Sequence, residues 1–297
     1  MKNLLIFTIF VAWINMSITF AQETKNTFMY KVENVEVHLL SEGQQNGNTS
    51  ILIGATPEML KKALPDGTFM NAVNVFLVRF SGKNILIDAG FGRLLFDNLK
   101  STGISPDQID AVLLTHLHGD HIGGLLQDGK ASFPNATLYI SKMEHDYWTS
   151  EEAMNKVPEN NRSGFKFAQN VINEYKDRLH LFSPDEIGKE SCKLFPYIQG
   201  IAAYGHTPGH AVFMIGSGAQ KMLIWGDLTH AQPIQMAFPE IAVTYDVDYE
   251  QAIISRKKIL EYVSKNNIPI AGMHIAFPAM GYVKANSEGG YDYKPLE

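Results

Sequence analysis

Residues 115–124 read Thr-His-Leu-His-Gly-Asp-His-Ile-Gly-Gly and directly follow an apolar run, Ala111-Val-Leu-Leu114. Packing alone gives no reason to gather imidazoles at the end of a buried strand, because each would need a buried hydrogen-bond partner. Imidazole and carboxylate are the usual ligands of zinc and related divalent metals. His116, His118, Asp120 and His121 together are too many for one ion served by one short segment. Some must face one ion and some another, so the chain has to fold in a way that brings this loop to further ligands.

Three candidates share the context of that loop. His206 follows Ile201-Ala-Ala-Tyr-Gly205, Asp227 follows Met222-Leu-Ile-Trp-Gly226, and His274 follows Ile270-Ala-Gly-Met273. Each stands just past an apolar strand, where loops on a rigid scaffold converge and sites form. The set is then five histidines and two aspartates, which suits two metals sharing one carboxylate.

The first 21 residues form a separate unit. Lys2 supplies a positive start, Leu4 to Phe20 is mostly apolar, and Thr19-Phe20-Ala21 offers small residues at both positions read by a signal peptidase. We read residues 1–21 as a secretory signal cleaved before Gln22. The run is short for a membrane span and has no basic stop-transfer flank, so no stable membrane anchor is expected and the mature chain is secreted or periplasmic. Residues 22–297 suffice for one domain with a sizeable core. Its acidic balance, −6 for the whole chain, without a Lys/Arg cluster, argues against nucleic acid as a partner. Cys192 is the only cysteine, so no internal disulfide forms; it reads as a small buried apolar residue. Oligomeric state is not set by the sequence, and a homodimer is among the options.

Strands are expected at 35–39, 74–80, 84–88, 111–114, 137–140, 198–203, 211–215, 221–225 and 268–273, with a hairpin turn at Ser81-Gly-Lys83. Helices are expected at 57–64, at 141–148 behind a Ser141/Glu144 capping box, and from a cap at Asp248 to Asn266. Residues 150–180 read as helices or a lid. Strands come first as a meander and helices later, twice over, without regular βαβ alternation. This pattern predicts an α/β sandwich: two sheets face to face with helices outside.

His116-x-His118-x-Asp120-His121, followed in order by His206, Asp227 and His274, resembles the metallo-β-lactamase superfamily over nearly all of the mature chain. The resemblance implies an αββα sandwich of two mixed β-sheets with external helices and metals at one edge. It implies two Zn2+, one held by His116, His118 and His206, the other by Asp120, His121 and His274, with Asp227 bridging; Mn, Fe or Co suit the same ligands. Asp88 would support the metal loop and His210 would act behind the ligands. Cys192 is out of register with the cysteine-ligand forms of the family.

Gly205-His-Thr-Pro-Gly-His210, Leu223-Ile-Trp-Gly-Asp-Leu-Thr-His230, Tyr245-Asp-Val-Asp248 and Gly272-Met-His-Ile-Ala-Phe-Pro278 together are similar to the methyl parathion hydrolase group, which includes N-acyl-homoserine lactonases. Smaller quorum-quenching lactonases carry a tyrosine three positions after the bridging aspartate. Here that place is His230, which can itself donate to a carbonyl oxygen or leaving group. The resemblance implies a secreted hydrolase that opens acyl-homoserine lactones: hydroxide attacks the carbonyl carbon, the metals hold the oxyanion, and Asp120 or His230 helps protonate the leaving alkoxide. An organophosphate triester hydrolase or arylesterase is the alternative, with a β-lactamase or a non-catalytic metal-binding protein behind it. Met70, Trp148, Met236, Phe238 and Phe277 are candidates for an apolar substrate pocket.

Overall fold

The computed structural model describes residues 26–297; the predicted leader lies outside them. Two seven-stranded sheets dominate. The first holds Thr27–Val32 (β1), Val35–Asn46 (β2), Met70–Phe80 (β3), Lys83–Ile87 (β4), Ala111–Leu113 (β5), Thr137–Ser141 (β6) and Leu179–Phe182 (β7). The second holds Lys193–Phe195 (β8), Ile198–Ala202 (β9), Ala211–Ser217 (β10), Gln220–Ile224 (β11), Ile270–Ala271 (β12), Met280–Ala285 (β13) and Tyr291–Pro295 (β14). In each sheet the strands lie side by side in chain order. Two ribbons of two-residue strands, Leu52–Ile53 with Ala242–Val243 and Leu126–Gln127 with Lys130–Ala131, are the other paired strands among the described residues.

Both sheets are mixed. β1 to β4 pair antiparallel, whereas β4 to β7 run parallel. The sequence reading saw no βαβ alternation, but parallel neighbours require crossovers, and helices fill them. After Pro57–Ala63 (α1), Leu95–Ser101 (α2) lies between β4 and β5, and Gly119–Ile122 (α3) between β5 and β6. Lys142–Thr149 (α4), Glu151–Lys156 (α5) and Arg162–Glu174 (α6) lie between β6 and β7. In the second sheet only β11 and β12 are parallel neighbours; Gln232–Ala237 (α7) and Tyr249–Lys265 (α8) fall between them.

Side-chain alternation builds two cores from the same strands. Phe76 and Val78 of β3 and Ile85 and Ile87 of β4 point into the layer between the sheets, where they join Phe213, Ile215, Met222 and Ile224. Their neighbours Val75, Leu77 and Leu86 face the other way and pack with Leu95, Leu99, Trp148, Phe165 and Val171 from the helices. Burial on both faces explains why β3 and β4 read as continuous apolar runs. Each fully buried large side chain contributes about 1.5–3 kcal/mol. α8 starts where expected, with the Asp248 side chain accepting from the Gln251 N–H, and buries Ala252, Ile259, Leu260 and Val263. Ile253 is only half-buried.

Three expectations need correction. Ser141 makes no side-chain cap on α4, and Glu144 turns inward to other partners instead of closing the expected capping box. Of the strand expected at 268–273, only Ile270–Ala271 joins the ladder. β1, β7, β8, β13 and β14 are not among the expected strands, although the Gly-rich segment before Tyr291 marks the β13–β14 hairpin.

Strand direction then places the site. β4 and β5 are parallel, and their C-terminal ends deliver Asp88 and residues 115–121. β9, β11 and β12 share one direction, and their C-terminal ends deliver His206, Asp227 and His274.

Candidate metal centre

Nε2 of His116, Nδ1 of His118 and Nε2 of His206 form a triangle with sides of 2.9, 3.0 and 3.2 Å. A ring nitrogen is either an N–H donor or a lone-pair acceptor. Three mutually facing nitrogens cannot alternate, so at least one pair must oppose like with like. A cation accepting all three lone pairs removes the conflict, and the donor set therefore fits a metal. Asp227 lies against this triangle, its Oδ2 3.2 Å from His206 Nε2 and 3.6 Å from His116 Nε2.

Asp120, His121 and His274 form a second group whose ligand atoms lie within 4.8 Å of one another. Asp120 Oδ2 stands 3.8 Å from His121 Nε2 and 3.6 Å from His274 Nε2. Asp227 reaches this group too, with Oδ1 3.1 Å from His121 Nε2 and Oδ2 3.1 Å from His274 Nε2. His121 Nε2 and Asp227 Oδ1 are nonetheless buried without a well-directed hydrogen bond, which again suits a cation between them. All seven residues named from the sequence as ligands are thus brought together.

In four of the five histidines the ring nitrogen turned away from the site is anchored. Nδ1 of His121 meets Asp88 at 2.7 Å, Nδ1 of His206 meets Asp246 at 2.8 Å, and Nδ1 of His274 faces the Ala72 carbonyl at 2.8 Å. His116 Nδ1 lies 3.0 Å from the Thr115 hydroxyl, which itself donates to Asp88. Such partners fix tautomer and ring orientation. His210 is buried behind the ligands: its Nε2 accepts the Asp227 backbone N–H, and its Nδ1 donates to the Ala203 carbonyl. Gly226, beside it, has φ +55, and a Cβ there would lie 2.5 Å from His210 Nε2. His230 differs from the ligands. Its Nε2 is 3.0 Å from Asp227 Oδ2 and its ring stacks on His274 at 4.7 Å, but its Nδ1 is buried without a partner.

Burial opposes charge on every one of these rings. At His206 the Asp227 and Asp246 carboxylates outweigh it and lift the imidazole to about 9. Asp227, Asp120 and Asp88 likewise raise His121 well above its ordinary value, and His274 is raised beside Asp227 and Asp120. Burial and neighbouring imidazoles push His116 down, His118 to about 3 and His230 to about 4. Burial would raise Asp227, but His121, His274 and His230 hold it well below the usual carboxylate range.

Three supporting residues have no local sequence signature. Glu144 is buried and accepts four hydrogen bonds, from the Leu117 and Gly209 N–H groups, the Thr207 hydroxyl and the Trp148 indole. Arg256, equally buried on α8, donates to the Leu228, Pro239 and Ile241 carbonyls and stands 3.8 Å from Asp246. Glu42 accepts from the backbone of Phe91, Gly92, Leu94 and Leu95 and so caps α2 from a distant strand.

A cavity of about 970 Å3 opens over the centre and is lined by His118, Asp120, Asp227, His230 and His274. Phe91, Tyr147, Trp148, Phe165, Tyr245 and Val247 supply apolar surface. Of the five apolar residues expected there, only Trp148 lines it. Met236 is in the inter-sheet core, Phe277 packs against that core, Phe238 joins a small satellite cluster, and Met70 is exposed. Residues 157–165 form one wall of the cavity. Cys192 packs half-buried against the inter-sheet core, away from the cavity, and burial pushes its thiol up.

Residues 70–267 match the model of the metallo-beta-lactamase superfamily. The chain belongs to that superfamily. Its placement there agrees with the two mixed sheets and with the metal-capable edge they share. A solved structure of a hydrolase called AbOPH, in the beta lactamase superfamily, is 28% identical with a TM-score of 0.82 over 93% of this chain and 99% of that one. AidC, a dizinc quorum-quenching lactonase solved with its product N-hexanoyl-L-homoserine, is also 28% identical with a TM-score of 0.82, over 92% and 98%. Among curated relatives the likeness is more local. The anti-Pycsar protein Apyc1 of Saccharibacillus brassicae is 40% identical over 63 residues, 19% of this chain and 26% of that protein. The chain therefore spans about a quarter of that relative's length.

Proposed function

We propose that this superfamily hydrolase is a secreted dinuclear zinc enzyme that opens the ring of N-acyl-homoserine lactones. The observation that carries the reading is the full-length likeness to a dizinc lactonase, joined to a donor set in which Asp227 faces two groups of ligands. His116, His118 and His206 would hold one zinc, and Asp120, His121 and His274 the other, with Asp227 between them. A bound metal pair supplies Lewis acidity, activating water and polarising the ester carbonyl.

The chain's own groups do the rest. Asp120 is the part-exposed carboxylate of the centre and lines the cavity; with Oδ2 facing the His121 and His274 nitrogens, its other oxygen, Oδ1, can take a proton and return it to the leaving alkoxide. His230 also lines the cavity, its Nε2 against Asp227 and its Nδ1 without a partner, and can give a hydrogen bond to a substrate oxygen. The apolar wall suits an acyl chain. The leader read at residues 1–21 supports export, where a diffusible signal is met.

A phosphotriesterase or arylesterase would use the same donors, since both transition states place charge on a metal-facing oxygen. Assaying the zinc-loaded protein on N-hexanoyl-homoserine lactone, a paraoxon-type ester and a β-lactam separates the readings. The lactone should give the highest kcat/KM. Rapid phosphotriester turnover without lactone turnover would replace the proposal with its alternative.

A further inference from the structure

We infer that Glu144 is a positioning residue that holds the two loops of the imidazole triangle in register with each other and with the substrate wall. The inference rests on the two-metal reading above.

His116 and His118 follow β5 of the first sheet, and His206 follows β9 of the second. Three ligands of one metal are therefore delivered by two separate sheets. Glu144, on α4, stands between the two deliveries. Its Oε1 accepts the N–H of Leu117, the residue between His116 and His118, at 3.0 Å. Its Oε2 accepts the hydroxyl of Thr207, the residue after His206, at 2.6 Å, and the Gly209 N–H at 3.0 Å. Every partner is a donor, which only a carboxylate with two acceptor oxygens satisfies. The approach is close: a Cβ on Gly209 would lie 2.0 Å from the Glu144 nitrogen.

The fourth donor gives the arrangement a functional direction. The Trp148 indole N–H shares Oε1 with Leu117, at 2.6 Å. Its ring stands edge-on to His118 at 5.6 Å and packs against Phe165 at 4.6 Å, and both aromatic residues line the cavity. A substrate that shifts Trp148 acts on the same oxygen that sets Leu117. Stability alone does not call for a buried carboxylate here, because well-packed apolar residues often serve a buried site as well.

The test compares Glu144→Gln with the full-length wild-type protein by zinc titration against a chelator and by cobalt ligand-field spectra. The glutamine amide would turn an NH2 toward two donors. Glu144→Gln should bind the metal of the His116/His118/His206 group about 10- to 100-fold more weakly. The other metal should keep its affinity, and the cobalt spectrum should change. Thr207→Val should shift the same metal in the same direction by less, and Thr207→Ser should restore it. A folded Glu144→Gln with both affinities and the spectrum unchanged overturns the inference alone. Should Glu144→Gln fail to fold, the Thr207 pair decides: equal affinities in the valine and serine variants overturn it. A wild-type chain that binds no metal overturns the two-metal reading and the inference with it.

Discussion

The backbone N–H of Asp227 donates to Nε2 of His210 at 3.1 Å. This buried bond sets the height at which the carboxylate that faces both histidine groups enters the site, because Asp227 follows directly on Gly226 and has no helix or strand of its own to hold it. The imidazole is kept neutral by burial, which pushes it down to about 3, so Nε2 stays an acceptor.

His210→Ala should strand the Asp227 N–H and the Ala203 carbonyl. The expected cost is about 1–3 kcal/mol for each buried group left unpaired. Metal affinity should fall about 10- to 100-fold. Denaturant unfolding and chelator competition measure the two effects. A variant with unchanged stability and metal affinity contradicts the role.

The pH dependence of metal uptake follows from the carboxylates around the rings. His206 titrates at about 9, and His121 and His274 are also raised. A raised pKa favours the protonated ring below that value, whereas a metal takes the neutral ring. Zinc entering chelator-stripped protein at pH 7 should therefore expel protons, with affinity rising and proton release shrinking as pH approaches 9. Calorimetry in buffers of different ionisation enthalpy reads the proton count. Uptake at pH 7 without proton release contradicts it.

The cavity rim bears on substrate choice. Phe91, Tyr245 and Val247 line it and are 43%, 53% and 49% exposed, an apolar surface set around the centre. If an acyl chain lies there, kcat/KM should rise from butanoyl to decanoyl homoserine lactone, by up to about 0.8 kcal/mol per buried CH2. Phe91→Ser and Val247→Ser should flatten the series while leaving the butanoyl substrate nearly untouched. Flat chain-length dependence in the wild-type protein places the acyl group elsewhere.

The seven candidate ligands were legible because their signal is local. Four fall within six residues of one loop, and His206, Asp227 and His274 each follow a strand that is visible as an apolar run. The supports were not. Glu144 looked like a cap partner for Ser141, because its real donors lie 27 to 65 residues away along the chain, apart from Trp148. Arg256 sits in an apparently ordinary amphipathic helix and is recognised only once Leu228 and Ile241 are folded against it. The crossovers behind the parallel steps of the first sheet left no periodic signal for a similar reason. α3 is a four-residue helix, too short to leave a 3.6-residue pattern, so the β5–β6 crossover reads as loop.

The most direct test of the account is the metal content of the wild-type protein and of Asp227→Ala after dialysis against limiting zinc. The wild-type chain should retain two equivalents, and removing the carboxylate that faces both groups should lower the content to one or none with loss of hydrolysis. A single equivalent in the wild-type protein, or two equivalents kept by Asp227→Ala, would contradict a shared two-metal centre.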